Sequence, residues 1–140
     1  MGDLQPTDRE LEALKVLWEH GEATVRAICD EMNQPGAELA YTTVLSLLQV
    51  MEQKGIVTHR RDGKAYVYAA SIERNNTFRQ MAGGFLDRVF DGAVDEYLVH
   101  ALESRRLSAR ELDELEVMIA TAKRQAAARA REESQAKGDQ

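Results

Sequence analysis

Apolar residues first recur along this chain at helical spacing. Thr7-Asp8-Arg9-Glu10 reads as a capping box, in which Thr7 and Glu10 each satisfy the other's free backbone N–H. Leu11, Leu14 and Trp18 then form the stripe of a first helix, which His20-Gly21 ends. Thr24 caps a short second helix with Val25, Ile28, Cys29 and Met32 at i, i+3, i+4 and i+7. Asn33-Gln34-Pro35-Gly36 is a turn, because proline cannot continue the helix and glycine relieves the bend. A third helix spans Tyr41 to Lys54, with Val44, Leu47, Leu48 and Met51 inward and Gly55 as its stop. Its outer face of Thr42, Thr43, Ser46, Gln49 and Gln53 is polar but almost uncharged, unlike a merely solvated helix surface.

The period then changes. Ile56–Arg61 and Ala65–Tyr68 are β-branched and aromatic runs separated by Asp62-Gly63, a strong hairpin signal, with His59, Arg60, Arg61 and Lys64 around the tip. Three short helices followed by a basic-tipped hairpin are the layout of a winged helix-turn-helix. After Ile72 the pattern is helical again, over about 74–90, 93–102 and 109–131. Ser108 and Glu111 make a second capping box, and Gly83-Gly84 reads as a close helix crossing. The apolar stripes here comprise Phe78, Phe85, Leu86, Val89, Phe90, Val94, Tyr97, Leu98 and Leu102, then Leu112, Leu115 and Ile119. They are too extensive to be buried within one chain of this size, so a second copy is expected to cover them. The expected fold is α+β and mostly helical. It comprises a winged-helix DNA-binding domain over 1–71, a helical dimerisation domain over 72–131 and a flexible tail over 132–140.

Charge narrows the function. The net charge is −6, yet residues 40–68 carry +2, against −6 for residues 1–39 and −2 for residues 69–140. A locally positive face on an acidic chain permits phosphate binding without proving it. No apolar run approaches the roughly 20 residues that span a bilayer. The first residues lack the basic start and apolar stretch of a secretory signal, so a cytoplasmic protein is expected. Cys29 is the lone cysteine and lies on an apolar face, which suits a small buried residue rather than a reactive thiol. His20, His59 and His100 fall on three different elements with no ligand spacing, and no phosphate loop, nucleophile elbow or carboxylate pair is present. Neither an enzyme, a metal site nor a cofactor is expected.

In a helix-turn-helix the second helix of the motif lies in the major groove, so Tyr41, Thr42, Thr43 and Ser46 are the candidate base readers. The plainer alternative is that Thr42 and Thr43 only cap their helix. Arg60, Arg61 and Lys64, with His59, suit phosphate contacts that fix register; the alternative is a solvated edge that blocks aggregation.

These residues also resemble a known family. Thr7-Asp8-Arg9-Glu10-Leu11-Glu12, Lys15-Val16-Leu17-Trp18, Tyr41-Thr42-Thr43-Val44-Leu45 and Gly63-Lys64-Ala65-Tyr66-Val67-Tyr68 are similar to the penicillinase-repressor (BlaI/MecI/CopY-like) family. So are Phe85-Leu86-Asp87-Arg88-Val89-Phe90-Asp91-Gly92 and Leu107-Ser108-Ala109-Arg110-Glu111-Leu112 of the dimerisation region. The resemblance implies a homodimeric repressor on an inverted-repeat operator in double-stranded DNA. It also implies release by proteolysis under a membrane-bound sensor metalloprotease. His100-Ala101 stands where the penicillinase repressors are cut at an Asn-Phe pair, so that cleavage is not carried over. The cysteine-rich metal site of the copper-responsive members has no counterpart in this tail. Two rival readings stay open: a winged-helix protein-interaction module that does not read DNA, and a regulator sensing a small molecule between its domains.

Overall fold

The computed structural model describes residues 5–34 and 36–138. Residues 1–4, Pro35 of the expected turn and the last two residues of the expected tail lie outside the described residues. The chain divides into two compact units, Met1–Gly92 and Ala93–Gln140.

In the first unit, helix α1 (Asp8–His20) opens on the expected capping box. Thr7 Oγ1 accepts the Glu10 N–H at 3.2 Å, and Glu10 Oε1 accepts the Thr7 N–H at 2.9 Å. A two-residue strand, β1 (Ala23–Thr24), follows, too short to leave a periodic trace in the sequence. Thr24 then caps α2 (Val25–Asn33) by accepting the Ala27 N–H at 3.1 Å. After α3 (Tyr41–Gln53) come β2 (Val57–Asp62) and β3 (Ala65–Ala70). The sheet is antiparallel in the order β1-β3-β2. The β2–β3 hairpin turns on Gly63-Lys64, with Asp62 opposite Ala65 and Gly63 at φ 63°, where a side chain would be strained. This is a winged helix-turn-helix.

Leu14, Leu17, Ile28, Leu48 and Met51 are fully buried in its core, each contributing roughly 1.5–3 kcal/mol over an exposed position. Val25, Ile28, Cys29 and Met32 are buried as their spacing predicts. The buried face of α1 is broader than the Leu11, Leu14 and Trp18 stripe: Glu10, Ala13, Val16 and Leu17 are buried, while Leu11 and Trp18 are half-buried. The reason is that α1 packs against α2, α3 and β3 together.

Helix α4 (Arg74–Phe90) belongs to this unit by compactness. The Trp18 indole N–H donates to the Ile72 carbonyl at 3.0 Å, and its ring meets Phe78 edge-on with centroids 5.5 Å apart. Gly84 does make a close approach, but to the Gln5 side chain rather than to another helix. Gln5 also donates to the Gln80 carbonyl at 3.2 Å. Asp91, left-handed at φ 52°, ends α4.

The second unit consists of α5 (Val94–Ser104) and α6 (Ala109–Gly138). Ser108 and Glu111 form the second capping box, each bond 3.1 Å. Helix α6 continues past Arg131, because Glu, Gln, Ala and Lys dominate the segment that follows and all favour helix. Neither α5 nor α6 buries a residue: Tyr97, Leu98, Leu102, Leu112, Leu115 and Ile119 are all exposed.

Among the described residues of the first unit, one charged group lies in the core. The Glu10 side chain is 2% exposed, and Lys54 Nζ sits 2.9 Å from both of its oxygens. Burial pushes the carboxyl up most strongly, but the Lys54 hydrogen bonds and charge and the Thr7 N–H together hold it below the usual carboxylate range. A depressed carboxylate stabilises the fold above its unfolded value, and that contribution is lost as pH falls through the folded value. The Glu10→Gln variant is therefore expected to lose less stability on acidification below about pH 4.3 than the parent. Lys54→Met, which strands the buried carboxylate, should cost about 2–3 kcal/mol, below the figure for a wholly dry pair because Lys54 is 34% exposed. Urea denaturation across pH checks both.

Candidate nucleic-acid interface

The α2–α3 connection aims the third helix. Asn33 Nδ2 donates to the Leu39 carbonyl at 3.0 Å, and Asn33 Oδ1 accepts the Leu39 N–H at 2.8 Å. Cys29 lies buried beneath, its thiol 3.6 Å from the same carbonyl, as a small core residue does. Val44, Leu48 and Met51 hold α3 from inside. Tyr41, Thr42, Thr43, Ser46, Gln49, Val50 and Gln53 are left exposed outside.

The capping alternative for the two threonines does not hold. The N-cap of α3 is Ala40, which makes no side-chain capping bond; Thr42 and Thr43 lie within the first turn, exposed. Their hydroxyls and methyls face solvent beside a positive helix end with no side-chain cap. The Arg26 guanidinium lies over the Tyr41 ring, 4.9 Å from its centroid. Arg26 was not legible as a site residue. Its one sequence signal is a lone cation just inside the N-terminus of α2, in an otherwise acidic stretch.

The wing sorts its residues by the strand pleat. His59, Arg61, Tyr66 and Tyr68 share one face, since His59 pairs with Tyr68 and Arg61 with Tyr66. That face and α3 border a groove of about 470 Å³ lined by Leu45, Gln49, Glu52, Gln53, His59, Tyr66 and Tyr68. In it His59 packs against both tyrosines and places Nδ1 2.5 Å from Glu52 Oε1. Burial, helped by the Glu52 charge, pushes the Tyr68 hydroxyl up, so it stays protonated. The Arg61 guanidinium lies 5.3 Å from the Tyr66 centroid, and Lys64 is exposed in the turn. Arg60 is on the opposite face, its guanidinium forked onto Glu22 at 2.6 and 3.3 Å. The expected basic tip of the wing is thus divided by face, with His59 and Arg61 on the α3 side and Arg60 on the other.

The model of the "Penicillinase repressor" family matches residues 6–121. The chain belongs to the penicillinase repressor family. It is 28% identical over 111 residues to the penicillinase repressor of Bacillus licheniformis, covering 79% of this chain and 86% of that one. It is 32% identical over 115 residues to the transcriptional regulator BlaI of Mycobacterium tuberculosis, covering 81% of each. The solved DNA-binding domain of the repressor BlaI is 26% identical, with a TM-score of 0.47 over 54% of this chain and 93% of that one. The family is made up of transcriptional repressors, not enzymes. Among the described residues no helix is long and apolar enough to cross a membrane.

One group of side chains among the described residues could hold a cation. Donor atoms of Glu19, His20 and Glu31 lie within 4.8 Å of one another. Sequence spacing misses it because Glu31 is on a different helix. A hydrogen bond between the His20 ring and Glu31 at 3.3 Å is a sufficient account of it.

If Asn33 sets the angle at which α3 is presented, Asn33→Ala should cost about 1–3 kcal/mol, chiefly through its lost hydrogen bonds to Leu39. Urea denaturation measures this, and an unchanged midpoint would assign the turn to the apolar contacts alone.

Proposed function

We propose that this protein represses transcription by binding an inverted-repeat operator as a homodimer, with α3 in the major groove and the wing on the backbone. The observation that carries the reading is the outer face of α3: exposed, polar, almost uncharged, and flanked by cations on α2 and on the wing. Thr42, Thr43 and Ser46 offer hydroxyl donors and acceptors for base edges, and the Thr methyls suit the thymine methyl. Arg26, Arg61 and Lys64 supply sequence-independent phosphate contacts, and Arg60, half-exposed on the wing's other face, adds one when it leaves Glu22. The relatives' names, penicillinase repressor and transcriptional regulator, support the same assignment.

The homodimer rests on the apolar side chains of α5 and α6, which stand exposed in a single chain. Val94, Tyr97, Leu98 and Leu102 with Leu112, Leu115 and Ile119 are its proposed seam, and Phe85 and Val89 of α4, also exposed, add to it. Leu86 and Phe90, half-buried, take lesser parts. Phe78 contributes least, being already seated against Trp18. In this reading residues 1–71 bind DNA and 72–131 dimerise. Two copies present two recognition helices to successive major grooves, roughly 34–36 Å apart or a multiple of that. A sensor-linked protease belongs to the proposal only through a bond other than His100–Ala101.

Fluorescence titration of the chain's own promoter fragment and a scrambled duplex, at two salt concentrations, tests the function. Tighter, salt-sensitive binding to the promoter is expected; equal and salt-insensitive binding to both would favour a protein-interaction module instead. Thr43→Ala should erode the preference for the promoter, by about tenfold if it removes one good base contact. Arg61→Ala with Lys64→Ala should weaken both duplexes alike and flatten the salt dependence. Leu98→Glu with Leu115→Glu should sediment as a monomer and bind the promoter about a hundredfold less tightly, through lost bivalency.

A further inference from the structure

The wing's cations are not equally available to DNA. Arg60 and Thr24 both pair with Val67, from opposite sides of β3, so their side chains share one face of the sheet. Glu22, just before β1, reaches across that face to Arg60. Its two oxygens take the guanidinium in a fork, 2.6 Å from Nη2 and 3.3 Å from Nε. Arg60 and Glu22 are 55% and 50% exposed, so an incoming group can reach either one. By contrast Arg61 faces the Tyr66 ring on the other side of the ribbon.

A phosphate presents the guanidinium with the same paired oxygens as a carboxylate. Glu22 therefore occupies the geometry a DNA phosphate would use. We propose that Glu22 is a built-in competitor for DNA phosphate: by engaging Arg60 it lowers the sequence-independent part of DNA affinity. The inference rests on the DNA-binding reading above. Hydrogen bonding to Arg60 holds the Glu22 carboxyl below the usual range, so Glu22 stays ionised and competing at neutral pH. Binding must exchange one ion pair for another, which reduces the net gain from the phosphate contact. Because phosphates carry no base information, the reduction is the same on every sequence. It holds a repressor off bulk DNA while leaving the reading by α3 intact.

The test is fluorescence anisotropy of the full chain, Glu22→Gln, Arg60→Ala and the double variant on promoter and scrambled duplexes across a salt series. Glu22→Gln should bind both duplexes more tightly by one common factor, roughly two- to fivefold at low salt. Its log–log salt slope should steepen by about 0.9, one phosphate's worth. In the Arg60→Ala background the same substitution should produce no gain. A gain that survives without Arg60 would mean that Glu22 acts only as general negative charge, and overturns the inference. Unchanged or weaker binding by Glu22→Gln, or a gain on the promoter alone, overturns it too while leaving DNA binding standing. A parent protein that binds neither duplex in a salt-sensitive way overturns the DNA-binding reading and this inference together.

Discussion

Glu10 Oε1 is shared between the Thr7 N–H, which closes the start of α1, and Lys54 Nζ, which follows the last turn of α3. Burying that carboxylate is costly unless each partner is in place. The apolar packing of Val44, Leu48 and Met51 supplies most of the attraction between α3 and the core. It is non-directional, however, and tolerates small rotations of the helix. The ion pair adds a tie at the end of α3, and the Asn33–Leu39 clamp ties the connection before its start. An interface that reads bases depends on the angle of that helix, because hydrogen bonds to base edges tolerate little misplacement.

Much of this architecture was legible because it rests on local chemistry. Both capping boxes, the α2 stripe, the bounds of α4 and the hairpin follow from spacing and turn residues. What escaped was non-local. Glu10 reads as a capping residue, and nothing along the chain pairs it with Lys54. β1 is two residues long and exists because β3 offers it an edge. The pleat that separates Arg60 from Arg61 depends on strand register, which composition cannot supply, and so does the proximity of Glu22. Gly84 was legible as a close approach, but its neighbour Gln5 lies far away in sequence. In the site itself, the α3 face was visible from its polarity, whereas Arg26 became visible only once α2 and α3 had folded together.

The acidic balance of the chain takes on a physical meaning in this setting. With a net charge of −6 the protein repels nucleic acid at long range, and attraction must come from a few placed cations. Two wing side chains are held by carboxylates, His59 by Glu52 and Arg60 by Glu22. Arg61 and Arg26 lie over tyrosine rings, which orient a cation without neutralising it. Such a surface suits a repressor whose discrimination does not come from bulk charge.

The most direct test of the account is backbone amide NMR of the labelled chain, titrated with a duplex from its own promoter. Shifts concentrated at Thr42, Thr43 and Ser46 on α3, at Arg61 and Lys64 on the wing, and at Arg26 are the predicted result. Shifts that spare α3 and gather elsewhere, or no saturable shifts at all, would contradict the assignment of α3 as the helix that reads DNA.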